Sequence, residues 1–206
     1  MTPTPNPDGD LRRQRGDRSR RLITRRAVDI ASLDGLGGLS FGRLADDLTI
    51  SKAGIQTLFR TKENLQLATV HTAQEVFVEA VLAPTQGARA GGDRLRLLIE
   101  RWMDYATQPL FPGGCFWGAT VPEFDSHPGP IREALREQRR AWLGTLAREF
   151  DAAAAEGQVE HTDTEATILQ IDALLNAANI ALRLANVEDA RKMRQVIDRL
   201  LPPSPQ

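Results

Sequence analysis

The chain has 206 residues, 41% of them hydrophobic and 26% charged, which is typical of a globular protein with a substantial core. It has no run of about 18 apolar residues, so no membrane span is predicted. The N-terminal stretch also lacks the apolar segment of a signal peptide. The single cysteine, Cys115, excludes an internal disulfide and fits a reducing compartment, so we expect a cytoplasmic protein.

The formal net charge of −1 conceals two halves of opposite sign. Residues 1–67 contain 12 Lys/Arg and 8 Asp/Glu, whereas residues 68–206 contain 14 and 19. Eight arginines lie between residues 12 and 26, where Asp17 is the only acidic residue. A polyanionic partner is one explanation for this cluster, and a solvated arm and helix face is the other. The charge alone does not decide between them.

Apolar residues at three- and four-residue steps predict an all-α fold of about nine helices, because no useful period-2 strand pattern occurs. The segments predicted to be helical are residues 18–34, 41–47, 52–59, 62–82, 93–107, 131–155, 163–185 and 187–201. Residues 109–130 contain five prolines and four glycines, which predicts a kinked or looped segment. Thr162 and Glu165 have the spacing of a capping box for the helix that follows them.

The segment from residue 41 to 58 has the apolar spacing of a helix-turn-helix. The apolar positions that bring two short helices together are Phe41, Leu44, Ala45, Leu48, Ile50, Ile55 and Leu58. Ala45 is small, so the second helix can cross the first closely. The polar residues of the second helix then face outward, where an exposed helix fits the major groove of DNA. An ordinary pair of short helices in a bundle is the alternative.

These residues resemble the TetR family of transcriptional regulators. The resemblance lies in Ser-Phe-Gly-Arg-Leu-Ala (40–45), Ile-Ser-Lys-Ala-Gly-Ile (50–55) and Phe-Arg-Thr-Lys-Glu-Asn-Leu (59–65), and it covers about residues 18–70. It implies a homodimer that binds a palindromic double-stranded DNA operator and releases it when a small molecule enters the C-terminal domain. The chain departs from the family at Thr49, where Gly is usual, and at Gln56 and Leu58, where an aromatic residue and His are usual.

The resemblance and the chemistry of the side chains together predict the DNA-binding residues: Ser40, Arg43, Ser51, Lys52, Ala53, Gly54, Gln56, Thr57 and Lys62. Ser40 and Ser51 are suitable N-caps. Lys52 is suited to guanine or phosphate and Gln56 to an adenine edge. Lys62, beside the free N–H groups of the next helix, predicts an anion site for a backbone phosphate.

Most aromatic residues lie in the middle third of the chain. We expect either a small-molecule cavity lined by them or an ordinary helical core. The predicted ligand-binding residues are Trp102, Tyr105, Phe116, Trp117, Phe124 and Trp142. Cys115 has no Lys, Arg or His within ten residues, so a buried, unreactive thiol is favoured over a redox sensor. The three histidines are far apart, and no metal site or cofactor is expected.

The predicted organisation is a flexible basic arm (1–17), a helix-turn-helix DNA-binding domain (18–64) and a helical ligand-binding and dimerisation domain (65–206). The helix over 163–185 is apolar around most of its circumference, which favours a two-fold interface shared with the last helix; burial within one subunit is the alternative. No catalytic motif is present, and Glu123 and Asp125 are better explained as caps or surface residues than as a catalytic pair. A helical protein–protein interaction module that does not use its N-terminal helices on DNA is the alternative function.

Overall fold

The computed structural model describes residues 7–160 and 162–201, with side chains from residue 14 onward. Within those ranges the chain forms helices and no β-strand, which confirms the all-α prediction. The helices are α1 (Pro7–Asp34), α2 (Phe41–Leu48), α3 (Lys52–Phe59), α4 (Lys62–Phe77), α5 (Gly92–Thr107), α6 (Phe116–Phe124), α7 (Pro130–Ala155), α8 (Thr164–Arg183) and α9 (Val187–Leu200). A 3-10 turn, Leu36–Gly38, follows α1.

Helix α1 begins at Pro7, eleven residues before its predicted start. Residues 7–17, expected to belong to a flexible arm, are therefore helical, whereas residues 1–6 of that arm lie outside the described residues. Proline suits a first helical position because its missing N–H is one that a helix leaves unbonded anyway. Residues 11–15 are rich in Leu, Arg and Gln, which are strong helix formers. These residues lack the apolar periodicity from which a helix is predicted.

The helix predicted over residues 62–82 is composed of two parts. Helix α4 ends at Phe77, and a π turn, Val78–Leu82, continues it. In this turn the N–H of Ala83 donates to the carbonyl of Val78, five residues back. Such a turn is wider than that of an α-helix and often marks a functional position. A second 3-10 turn, Ala83–Thr85, then leads away from it.

The Pro- and Gly-rich segment 109–130 contains a helix, α6, that the sequence reading missed. Phe116 and Thr120 are both fully buried on its inner face, so tertiary packing outweighs the weak local helix propensity. Pro122 lies inside the helix. Since proline has no N–H, it cannot bond to the carbonyl of Gly118 as a regular helix would require.

The N-cap of α8 differs from the prediction by one residue. Asp163, not Thr162, caps this helix by accepting a hydrogen bond from the N–H of Ala166 at 3.0 Å. Both residue types are good N-caps, so the spacing alone did not separate them. Thr162 instead shares a 3.0 Å hydrogen bond between its hydroxyl and that of Thr167.

A single cluster of buried apolar side chains extends from Ile23 in α1 to Leu201 after α9. Helix α1 is central to it, with Ala27, Val28 and Ala31 fully buried. The helix-turn-helix and the C-terminal helices thus share a continuous core through α1 and α4. The predicted domain boundary at residues 64 and 65 stays a prediction.

The segment preceding α6 lies directly on α1. The N–H of Gly113 donates to the Ser32 hydroxyl at 2.9 Å, and a Cβ built on Gly113 would overlap the carbonyl of Ser32. The Arg25 guanidinium donates to the Leu110 carbonyl at 3.2 Å and lies over the Phe111 ring. Only glycine permits this backbone approach at residue 113.

Candidate DNA-binding surface and ligand cavity

The two short helices α2 and α3 are capped as predicted. Ser40 accepts a hydrogen bond from the N–H of Arg43 at 3.1 Å, and Ser51 accepts one from the N–H of Gly54 at 3.4 Å. The buried side chains that join the two helices include Leu44, Ala45 and Ile55. These caps confirm the structural part of the prediction for both serines; contact with DNA stays a prediction.

The turn between α2 and α3 contains a strained residue. The N–H of Ile50 donates to the Ala45 carbonyl and that of Thr49 to the Asp46 carbonyl, the pattern of a Schellman motif. Thr49 has φ 55° and ψ 45°, the left-handed conformation that this motif requires. A β-branched residue rarely adopts it. This is the position where the resembled family usually has Gly.

The outer face of α3 is exposed, as predicted. Ile55 and Phe59 are buried, whereas the predicted contact residues on the other face are open to solvent: Lys52, Ala53, Gly54, Gln56 and Thr57. The Thr57 hydroxyl donates to the Ala53 carbonyl at 2.8 Å, so it already has a partner within the helix. An exposed helix face with a cation, an amide and two small residues is suited to close approach to base edges.

Two of the three cationic residues predicted to contact DNA, Arg43 and Lys62, also have partners within the chain. Arg43 forms an ion pair of 2.6 Å with Asp34, at the end of α1. Lys62 donates to the carbonyl of Gly37 at 2.6 Å, while Thr61 caps α4 by accepting from the Asn64 N–H. Lys62 is thus held against the 3-10 turn, and its contact with a phosphate stays a prediction. Its ammonium retains further donors for a phosphate.

Several arginines of the basic N-terminal cluster also have structural roles. Arg20 donates to the Leu58 carbonyl at 2.8 Å and lies over the Phe59 ring, and Arg26 pairs with Asp47 at 2.7 Å. These contacts fasten α2 and α3 to α1. Arg15, Arg18 and Arg21 are exposed. The positive charge available to a polyanion is therefore smaller than the count of arginines indicates.

A cavity of about 390 Å³ lies among helices α4 to α8. Its apolar wall includes Phe77, Val121 and three of the predicted ligand-binding residues, Trp102, Trp117 and Trp142. The Phe77 ring makes edge-to-face contacts with Trp117 and Trp142, at centroid distances of 5.1 and 5.6 Å. The volume lies within the range of small-molecule sites.

The other three predicted ligand-binding residues do not line this cavity, and their contact with a ligand stays a prediction. Tyr105 and Phe116 are buried behind the wall, where the Tyr105 hydroxyl accepts a hydrogen bond from the Phe116 N–H at 2.9 Å. Phe124, at the end of α6, packs its ring against His127. Aromatic residues close in sequence thus divide between the core and the cavity according to the face of the helix that they occupy.

Polar side chains also line the cavity, and none of them is among the six predicted ligand-binding residues. Asp172, which is 5% exposed, accepts a hydrogen bond of 2.7 Å from Arg139. The indole N–H of Trp117 donates to Gln138 at 2.9 Å, and the Asn179 side-chain carbonyl accepts from the N–H of Cys115 at 3.0 Å. A few fixed polar groups in an apolar cavity are the usual means of orienting a ligand. They come from α7 and α8.

Cys115 is buried, as predicted. Burial raises the pKa of its thiol above the ordinary value, an effect opposed by hydrogen bonds from Gly118, Tyr105 and Trp117. Burial also raises the pKa of the Tyr105 hydroxyl. The thiol is therefore neutral and weakly nucleophilic at neutral pH, and it contributes an apolar surface to the cavity wall.

An apolar surface is exposed on α8 and on the start of α9. Leu184 is 76% exposed, Val187 66% and Ile180 59%. On the opposite face of α8, Ile171 and Leu175 are fully buried. The apolar residues of the helix predicted over 163–185 are thus divided between the core and the exposed surface.

In the described part of the chain, no three His, Cys, Asp or Glu side chains are grouped as metal ligands. No helix there is both long and apolar enough to cross a bilayer.

Residues 91–198, more than half of the chain, match the family described as "Tetracyclin repressor-like, C-terminal domain". Solved structures with the same fold include a TetR transcriptional regulator from Chloroflexus aurantiacus (TM-score 0.80, 23% identity, covering 91% of this chain and 94% of that one). A TetR-family regulator from Cytophaga hutchinsonii is similar, with TM-score 0.80, 19% identity, and coverage of 93% and 98%. A third is AibR in complex with isovaleryl coenzyme A and operator DNA (TM-score 0.69, 18% identity, 89% and 98%). No curated protein matches the sequence.

Proposed function

This chain belongs to the TetR family of transcriptional regulators, and on that premise we propose that it is a cytoplasmic, homodimeric repressor rather than an enzyme. In this proposal α3 binds a palindromic DNA operator, and a small molecule in the cavity releases the protein from it. The observation that supports DNA binding best is the exposed face of α3, with Lys52 and Gln56 beside Ala53 and Gly54. Packing does not require the glycine, since a Cβ on Gly54 would meet no atom closer than 3.8 Å, although glycine lowers helix stability.

The cavity supports the proposal of a small-molecule effector. It combines three tryptophan rings with an oriented Arg139–Asp172 pair. One protein of the same fold is known in complex with both isovaleryl coenzyme A and operator DNA, so the fold accommodates both kinds of ligand. An effector acts only if it binds the DNA-incompetent arrangement more tightly than the competent one.

The exposed surface of α8 and α9 supports the proposal of a dimer. Leu184, Val187 and Ile180 lie together where these two helices meet. A two-fold axis beside them would pair each surface with its own copy and bury both. Two α3 helices one turn of DNA apart, about 34–36 Å, would then face successive major grooves.

The first experiment is binding of the full chain to the duplex immediately upstream of its own gene, measured by fluorescence polarisation at two salt concentrations against a scrambled duplex. We expect tight, sequence-selective binding. Lys52→Ala should weaken it about tenfold through loss of a base-edge or phosphate contact, whereas Lys192→Ala, on α9, should not. Equally weak binding to both duplexes by the wild type would favour the interaction-module alternative.

Analytical ultracentrifugation tests the dimer separately. Leu184→Glu introduces a charge into the exposed α8 surface and should convert the protein to a folded monomer. Leu22→Glu is the matched control because Leu22 is also exposed, at 54%, but lies on α1. A dimer that survives Leu184→Glu would contradict the proposed interface.

A further inference from the structure

A single carboxylate connects the cavity wall to the segment that precedes the helix-turn-helix. Glu123, near the end of α6, accepts hydrogen bonds from two consecutive backbone N–H groups, that of Leu36 at 2.7 Å and that of Gly37 at 2.5 Å. Hydrogen bonds to a charged acceptor are stronger than neutral ones. The carboxylate lies so close to Gly35 and Gly37 that a Cβ on either glycine would collide with it.

The same two residues are held from the opposite side by α4. The Gln66 side chain donates to the Leu36 carbonyl at 2.9 Å, and the Lys62 ammonium donates to the Gly37 carbonyl at 2.6 Å. The N–H groups of this turn are thus bound by α6 and its carbonyl groups by α4. Three residues after Gly37, Ser40 caps α2 and begins the helix-turn-helix.

Both helices that hold the turn also form the cavity. Trp117, Gly118, Val121 and Pro122 of α6 lie in its wall, and Pro122 immediately precedes Glu123. Near its C-terminal end, helix α4 contributes Gln74 and Phe77 to the wall. Lys62 and Gln66, which hold the turn, lie near the N-terminal end of the same helix. A displacement of α6 by a molecule in the cavity therefore acts directly on the Glu123 hydrogen bonds.

We infer that the Leu36–Gly37 turn is the junction between the cavity and the helix-turn-helix, and that Glu123 is the positioning residue that couples them. This inference rests on the proposed function for its biological meaning, but the coupling is a property of the folded chain and is measurable without DNA. With the cavity empty, Glu123 fixes the turn and thereby the start of α2. With the cavity filled, α6 moves outward, the two hydrogen bonds lengthen, and the turn is released.

The test uses hydrogen–deuterium exchange of the full chain, read at the amides of Leu36 and Gly37. Glu123→Ala should accelerate their exchange about tenfold or more, since both amides lose a charged hydrogen-bond acceptor. Glu123→Gln keeps the shape and one acceptor oxygen, so its exchange should be intermediate. Asp125→Asn is the matched control, because Asp125 is an exposed carboxylate at the end of the same helix whose hydrogen-bond partner is Ser126.

Cavity occupation is imitated by substitution, so no ligand needs to be known. Val121→Phe fills the cavity from α6, and Thr145→Phe fills it from α7; both residues are half-buried in its wall. Each should accelerate exchange at Leu36 and Gly37 in the wild-type background and add nothing in the Glu123→Ala background. If one variant does not fold, as judged by thermal melting, the other provides the result. Filling variants that leave this exchange unchanged, or act equally in both backgrounds, overturn the inference.

Binding to the upstream duplex by the same variants separates this inference from the proposed function. If exchange shows the coupling but the protein does not bind DNA selectively, the inference about Glu123 is supported and the proposed repressor function is contradicted. If the protein binds DNA selectively and Val121→Phe weakens that binding equally with and without Glu123, the repressor function is supported and the inference about Glu123 is contradicted. We expect Val121→Phe to weaken DNA binding only when Glu123 is present.

Discussion

The candidate DNA-binding surface and the cavity are constructed in opposite ways. The first comes from α2, α3 and their turn, about twenty consecutive residues, and its contact side chains point into solvent. The second is assembled from five helices between Gln74 and Ile180, and its polar groups, such as Asp172 and Gln138, are bonded within the chain. Exposed residues of the surface such as Lys52 and Gln56 can match a partner, although Arg43, Thr57 and Lys62 also have contacts within the chain. Residues of the cavity must satisfy folding and recognition together.

The largest expected effect concerns the segment that leads into α6 of the cavity wall, at the backbone contact between Gly113 and Ser32 of α1. Gly113→Ala should destabilise the fold by about 3 kcal/mol or more, because the added methyl group meets a backbone carbonyl that has no rotamer to change. The free energy of unfolding in urea measures this effect.

Gly87→Ala is the control for that experiment, since a Cβ there would have no heavy atom within 4 Å. Its effect should stay within about 0.5 kcal/mol. Similar, small effects of both substitutions would show that the segment before α6 is not held on α1.

A smaller effect is expected at Thr49, in the turn between α2 and α3. Here a residue of the candidate DNA-binding surface is constrained by its backbone conformation, as residues of the cavity are by their packing. Thr49→Gly should stabilise the protein by about 0.5–1 kcal/mol, since glycine avoids the steric cost of the left-handed conformation but loses more entropy on folding. Thr49→Ala retains a Cβ at φ 55° and should give little of this gain. Thermal melting distinguishes them, and a destabilised Thr49→Gly would contradict the strain.

The smallest effect concerns pH and the cavity wall. The pKa of the Cys115 thiol is raised in the folded state, so the unfolded chain releases this proton first and the free energy of unfolding falls as pH rises above 9.0, the ordinary value. Cys115→Ser, which does not ionise in this range, should flatten the fall, and Tyr105 should account for what remains. Denaturation in urea between pH 8 and 10.5 tests this. An identical slope in Cys115→Ser would exclude a contribution from the thiol.

Local patterns in the sequence predicted the helix-turn-helix well. Ser40 and Ser51 cap helices that begin at the next residue, so residue type and spacing were sufficient to find them. The same reasoning misplaced the cap of α8 by a single residue, because Thr162 and Asp163 are both suitable. It also failed at the start of α1, where a polar helix lacks the apolar periodicity on which the prediction depended.

Contacts between distant residues were not predictable in this way. Lys62 bonds to Gly37, and Glu123 to Leu36 and Gly37, across 25 to 87 residues of sequence. Glu123 does accept hydrogen bonds from backbone N–H groups, as a capping residue would. The 3-10 turn that it binds, however, is more than 80 residues away in sequence. Similarly, the tryptophans of the cavity were recognisable from composition, whereas the Arg139–Asp172 pair opposite them depends on how α7 and α8 pack.

The π turn after α4 determines which side chains reach the cavity. Phe77 and Leu82 both line it, although they are five residues apart. In a regular α-helix, five residues correspond to a rotation of about 140° beyond a full turn, which would place them on different faces. Bonding to the fifth residue instead returns Leu82 to the side of Phe77. If the same residues instead formed a regular α-helix, Leu82 would rotate out of the wall, and the cavity would change shape although no residue that lines it had been substituted.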